Sequence, residues 1–377
     1  MTTALRRSSG RAVGGAVLMA ALLTAGPPVR LSAQDSQFGI RGLGTPGRWE
    51  SVRARSTGGA FAPFDAMSPL MEAQIADVAR LTATAEAGTS NRDAQVGGTT
   101  TTLRATRFPL MMVAGRVAPR LALAAGFTTY LDRSWDVTLR DSLLLRGTVQ
   151  PFTDEVTSDG SIADLRLAAA ARPSRRIALG AGVHLLAGST RNTAERRFDD
   201  STFHSVQQLA EVRYDGFGVS GSVLIGVTRE LALAGWARSD NRLRAKVGDS
   251  TTAETDLPRM AGGGIQFLPS PSARFAAAVA WRSWARAGAG SFDTWSWSAG
   301  AEFGSPRMPF RVGARGGQMP FGPGTKAPTE VAGAAGFGRA FAQGRGLLDV
   351  GLERLERRGG GLTERVWTVL VGITVRP

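Results

Sequence analysis

From Trp367 onward the chain alternates without a break. Trp367, Val369, Val371, Ile373 and Val375 are large and apolar, while Thr368, Leu370, Gly372 and Thr374 between them are mostly small or polar. A period of two puts the first set on one face of a β-strand and the second set on the other. In a soluble sandwich the apolar face would meet a core and the polar face water. In a transmembrane barrel the apolar face meets lipid and the small or polar face lines the lumen. The choice rests on the remainder of the chain, where this strand type recurs and little else does.

Strands are expected near 75–86, 100–117, 120–131, 161–171, 176–189, 206–227, 231–245, 258–268, 274–286, 293–303, 309–317, 328–341, 346–357 and 364–376. Short connections such as Ala118-Pro119, Thr228–Glu230 and Ser305–Met308 alternate with longer ones near 87–99, 132–160, 190–205, 246–257, 318–327 and 358–363. That rhythm belongs to bacterial outer-membrane barrels, with tight periplasmic turns and larger outer loops. The expected fold is all-β: a transmembrane antiparallel up-and-down β-barrel of about 14 strands with both termini periplasmic. The faces sort in the same sense. Ile177, Leu179, Ala181, Val183 and Leu185 oppose Gly180, Gly182 and His184, and Phe310, Val312 and Ala314 oppose Arg311, Gly313 and Arg315. Arg238, Asp240, Arg242 and Arg244 are read onto one lumenal face. Trp281, Trp284, Trp295 and Trp297 are read as an interface belt.

A mean hydropathy of −0.06 excludes a helical membrane protein, and the absence of cysteine excludes disulfides and thiol chemistry. The formal charge is +14. No basic helix or aromatic-basic motif accompanies it, so nucleic acid is not an expected partner. An anionic lipid surface, or pairing with lumenal acids, accounts for it better.

Residues 1–33 read as a secretory signal peptide. Arg6, Arg7 and Arg11 precede an apolar run from Ala12 to about Ala25, then Gly26-Pro27-Pro28 and a cleavage site near Ala33. Residues 34–74 differ from everything after them. Here stand Ala54-Arg55-Ser56-Thr57-Gly58-Gly59-Ala60-Phe61, Asp65, and Ser68-Pro69-Leu70-Met71-Glu72-Ala73. This order resembles the N-terminal hatch of FadL-type outer-membrane transporters of hydrophobic compounds. That family usually has Asn-Pro-Ala after the serine, where this chain has Met71-Glu72-Ala73. Met319-Pro320-Phe321-Gly322, Gly336-Phe337-Gly338 and Leu348–Glu353 are similar to the C-terminal parts of such proteins. The resemblance implies a hatch over 34–74 inside a barrel over 75–377.

It also implies passive transport of long-chain fatty acids or other hydrophobic small molecules, with lateral or periplasmic release. Phe61, Phe64, Met67, Leu70 and Met71 are candidates for an apolar ligand surface, and Arg213 or Arg311 for holding a carboxylate head. The plainer alternative is that the apolar side chains plug the pore and these arginines pair with Glu211 and Asp349. Pro109 inside a strand removes a ladder hydrogen bond. At Asp215-Gly216 the apolar phase slips, as at a bulge. Pro109, Asp215 and Gly216 are therefore candidate portal positions, with a plain bulge as the alternative.

His184 and His204 are the histidines, and neither sits in a metal-ligating spacing. Asp199, Asp200 and Ser205 near His204 are ordinary loop composition. No catalytic residue, metal site or cofactor is expected, and the chain is read as a monomer in contact with outer-membrane lipid and lipopolysaccharide. Two other functions remain open: a porin for polar solutes, and a non-transporting scaffold barrel of the secretion-associated FadL relatives.

Overall fold

The computed structural model describes residues 29–32, 36–96, 99–145 and 147–377; most of the expected signal peptide, with its cleavage site, lies outside them. Alternating sequence of the kind seen in 362–375 builds a closed ring of fourteen antiparallel strands. These are β1 (Thr82–Val96), β2 (Thr99–Ala118), β3 (Leu121–Asp132), β4 (Thr148–Ala171), β5 (Ile177–Phe198), β6 (Val206–Gly226) and β7 (Leu231–Asp240), followed by β8 (Arg259–Ser270), β9 (Ala273–Arg282), β10 (Thr294–Ser305), β11 (Met308–Gln318), β12 (Thr329–Phe341), β13 (Gly346–Gly359) and β14 (Leu362–Val375). Each strand pairs with the next. β14 pairs back onto β1 from Leu362 opposite Val96 to Val375 opposite Ala83. Closure pairs the wall's backbone groups within the sheet, which is the condition for strands in hydrocarbon.

The alternation sorts as the sequence requires. On β14, Glu364, Val366, Thr368, Leu370, Gly372 and Thr374 are buried within the ring, whereas Trp367, Val369, Val371, Ile373 and Val375 are exposed on its outside. Leu167, Leu179, Val183, Phe275, Phe310 and Phe337 continue the exposed apolar belt around the wall. Trp295 and Trp297 belong to it, but Trp284 does not: it lies buried against Phe321 on a 3₁₀ turn, Trp284–Ala287.

Two departures from the expected strands have physical causes. The first strand begins at Thr82 and not near 75, because Ala73–Asp77 is a 3₁₀ helix whose Ala73, Ile75 and Ala76 serve the lumen. The outer face of β1 is only Ala83, Ala85 and Ala87, a weak apolar signal. The long connections also carry strand. Trp135–Leu145 pairs with the outer part of β4, and Arg242–Val247 forms a hairpin with Ser250–Asp256. Beyond the membrane both faces of such ribbons are wet, so their sequence shows no apolar period.

Residues 36–81 thread the ring. Ser51 caps the short helix Val52–Arg55 by accepting the Ala54 amide at 3.1 Å. Gly58 (φ +69°) and Gly59 (φ +98°) then turn the chain where a side chain on Gly58 would strike the Ala314 backbone. Phe61, Phe64, Met67, Met71, Ile75 and Val78 form one buried cluster with Ala114, Ala122, Ala168, Ala170, Ala178 and Ala234 of the wall. Small lumenal residues on the strands leave room for large ones on the plug, each contributing roughly 1.5–3 kcal/mol by burial.

Candidate functional site

The plug is tied to the wall by buried ions and hydrogen bonds. Glu302 of β10 accepts from Arg53 at 3.0 Å and from Arg311 at 2.8 Å. Glu353 of β13 lies 3.0 Å from Arg55, 3.4 Å from Arg315 and 3.6 Å from Arg48. The Val52 amide donates to Glu86 of β1 at 2.7 Å. On the opposite side Glu72 accepts from the Ser220 and Ser222 hydroxyls of β6 at 2.5 and 2.7 Å, and Arg166 of β4 stands 3.3 Å away. Here the wall has no side chain to spare: a Cβ on Gly180 would come within 2.4 Å of the Ala73 nitrogen.

Between the plug and the outer loops lies a cavity of about 150 Å³ whose lining includes Trp49, Leu70, Trp236, Arg238, Met260, Arg282 and Trp284. Its apolar side continues into an outer cluster of Trp49, Tyr130, Leu131, Leu186, Tyr214, Leu243, Leu257 and Trp284. Arg238 is already neutralised, donating to Asp240 at 2.8 Å and to Asp164 at 2.5 Å. Arg282 is not. Its guanidinium stacks 5.3 Å from the Trp49 ring centre, and among the described residues no carboxylate lies within ion-pair distance of it. The buried Trp284 Nε1–H on the same lining also lacks an acceptor. The chamber is thus lined by Trp49, Leu70, Trp236 and Met260 together with charged Arg48, Glu50, Arg315 and Glu330. With one guanidinium outside any ion pair and one N–H without an acceptor, it suits an amphiphile with an anionic head.

The wall beside this chamber is incomplete. Phe108 and Pro109 of β2 stand opposite Ala87 alone, so β2 bulges against β1. The ladder from β2 to β3 runs only as far as Leu110 opposite Thr128. Beyond it Thr99–Pro109 pairs with β1 alone, and Leu131–Asp132 pairs instead with Thr45–Pro46 of the plug. Arg107 bridges the gap to Asp132 at 2.5 Å. A cavity of about 140 Å³ opens there, lined by Arg107, Pro109, Thr129 and Asp132, and it shares Pro46, Gly47, Arg48, Arg315 and Arg357 with the central chamber.

Three solved structures share this architecture. A Pseudomonas aeruginosa FadL homologue superposes with a TM-score of 0.62 at 12% identity, covering 88% of this chain and 99% of that one. The fold is that of the FadL-type barrels. The Pseudomonas putida toluene transporter TodX gives 0.58 at 11% identity over 88% and 98% of the two chains. The CymD monoaromatic hydrocarbon channel gives 0.55 at 12% over 89% and 98%. Neither a protein-family model nor a curated protein matches the sequence.

Several residues singled out by the sequence take the plainer of their two readings, and others stand elsewhere than expected. Phe61 and Met71 are fully buried, and Phe64 and Met67 nearly so, all in the plug's packing cluster; Leu70 reaches the chamber. Arg311 is consumed by Glu302 and by Asp349 at 2.6 Å. Arg213 points outward, largely exposed and 3.6 Å from Glu211. Arg242 and Arg244 also face outward, paired with Asp256 at 3.0 Å and Asp215 at 2.6 Å. No bulge occurs at Asp215-Gly216 against β5, where the register runs unbroken from Arg196 to Ile177. The chemistry switches faces there, not the backbone. Phe217 and Val219 face lipid, while Tyr214 nearer the outer loops faces the greasy interior. The irregularity sits on the neighbouring strand, at Asn241 just beyond β7, whose amide and side chain bond Phe217.

His184 joins a network the sequence did not disclose. Its Nδ1 meets Asp164 at 2.9 Å and its Nε2 meets the Ser220 hydroxyl at 2.8 Å. This is the connectivity of a nucleophilic triad. Ser220 also donates to Glu72, and Asp164 is shared with Arg238, so the hydroxyl proton and the carboxylate are both committed. The group reads as an anchor for the plug. His204 is exposed on an outer loop.

Proposed function

We propose that the protein is an outer-membrane channel for passive uptake of hydrophobic compounds, and that its ligands are amphiphiles with an acidic head, of the long-chain fatty-acid type. The observation that carries this reading is the unpaired stretch of wall between Thr99–Pro109 and Leu131–Asp132, open onto the central chamber. A ligand captured in the chamber beside Arg282 would leave sideways through that gap once Arg107 and Asp132 part. Fatty acids suit the passage better than plain hydrocarbons. Its lining is charged, with Arg48, Arg107, Arg315 and Arg357 set beside Asp132 and Glu353, and a ligand without polar groups would desolvate these ions for no return. The fold shared with a FadL homologue and with TodX supports transport over a scaffold role. The packed plug disfavours an open porin.

Deleting Pro109 tests the route. Phe108 faces outward and Leu110 inward, so the deletion keeps both flanking segments in phase while removing the residue that makes two oppose one. The expected result is loss of fatty-acid flux into liposomes with ligand affinity retained. Undiminished flux in the deletion would refute lateral release.

A further inference from the structure

The charge on this barrel is not evenly placed, and its distribution points to a second binding surface. Short turns after β2, β4, β6, β10 and β12 carry Arg120, Arg175, Arg176, Arg229, Arg307 and Arg345, every one exposed. Among the described residues none of them lies within ion-pair distance of a carboxylate, and the acid within those turns is Glu230, beside Arg229. At the long-loop end acids accompany the arginines, and several of the charges are paired. Arg196 is held by Asp154 at 2.7 Å, Arg197 by Glu195 at 2.8 Å, and Arg242 and Arg244 by Asp256 and Asp215. The short-turn rim therefore presents guanidinium groups with scarcely an acid, although Arg172 there pairs with Asp77. The long-loop rim mixes paired arginines, others outside any ion pair among the described residues such as Arg140, Arg191 and Arg286, and exposed carboxylates such as Asp199 and Asp249.

We infer that the short-turn rim binds the phosphate headgroups of anionic phospholipids in the inner leaflet. This rests on the outer-membrane reading above, in which short turns are periplasmic. Three features favour lipid phosphate. The arginines sit one or two to a turn around the circumference, matching a ring of lipids and not a single docked partner. Exposed Phe303 and Phe310, paired across β10 and β11 just above Arg307, set the depth at which that side chain meets the headgroup layer. The charge is also almost wholly arginine, with Lys246 and Lys326 the chain's lysines, and the guanidinium fork matches phosphate oxygens two at a time.

The test uses the full barrel in nanodiscs of phosphatidylcholine containing a minor fraction of phosphatidylglycerol, with native mass spectrometry of the lipids that stay bound. Phosphatidylglycerol is expected to be enriched by about fivefold in the retained shell, and the enrichment should fall as ionic strength rises to about 0.5 M. Changing Arg120, Arg175, Arg176, Arg229, Arg307 and Arg345 together to glutamine should abolish it. Changing Arg197, Arg242 and Arg244 to glutamine should not. Equal enrichment in the unaltered and rim-substituted proteins, or none in either, overturns the inference. Failure of the membrane reading itself looks different, because the protein would then give no heat-modifiable folded band even in pure phosphatidylcholine.

Discussion

In a planar bilayer, Glu72→Ala is expected to pass a steady ion current that the unaltered protein does not. Glu72 is 1% exposed and gathers three wall groups, the Ser220 and Ser222 hydroxyls and Arg166. Its removal leaves Arg166 without the carboxylate 3.3 Å away, and breaking one side of a buried ion pair costs about 3–5 kcal/mol. The ring of strands keeps its own ladder, so the loss falls on the plug. Residues 66–78 should detach from β4, β5 and β6 and open a water path. Pairing Glu72→Ala with Arg166→Leu removes the stranded cation and should restore much of the anchoring. Gly180→Val reaches the same end without touching a charge, since its side chain would meet the Ala73 backbone. A current unchanged in both Glu72→Ala and Gly180→Val would mean that this contact does not hold the plug.

The sequence disclosed the wall better than its contents, and the reason lies in how lipid selects residues. Where strands cross hydrocarbon, one face must be aliphatic, so Leu179, Val183, Phe310 and the run from Trp367 to Val375 could be assigned from alternation alone. Past the lipid the rule lapses and then inverts. Tyr214 and Leu243 are apolar yet face inward, and Arg213 and Arg242 are charged yet face outward, because water is now on the outside. Reading every apolar residue as lipid-facing therefore set the phase of the outer part of β6 one residue wrong and suggested a bulge at Asp215-Gly216. Pro109 escaped this error because its effect is local and steric. The chamber was not legible at all. Trp49, Arg238, Arg282 and Trp284 are far apart in the chain and meet only because the ring closes around the plug. Nothing near Arg282 in sequence distinguishes it from Arg311, which the fold spends on two carboxylates.

That distinction yields the sharpest test of ligand class. Arg282→Met keeps the bulk over Trp49 and removes the charge. If the chamber holds an acidic head, the variant should bind a long-chain fatty acid about 10- to 100-fold more weakly, the worth of one hydrogen bond to a charged group at about 1.5–3 kcal/mol. A neutral alcohol of equal chain length should bind both proteins alike, because its affinity comes from apolar burial against Leu70, Trp236 and Met260. Arg311→Met supplies the contrast. It would strand Asp349, leave Glu302 to Arg53, and loosen the barrel's own packing, lowering thermal stability without any preference between acid and alcohol. Isothermal titration in detergent, run with the acid and the alcohol on each variant, separates these cases. Equal weakening of both ligands by Arg282→Met would place the anionic head elsewhere. Equal affinity for acid in the variant and the unaltered protein would remove the guanidinium from recognition altogether, leaving the chamber to select by shape and greasiness alone.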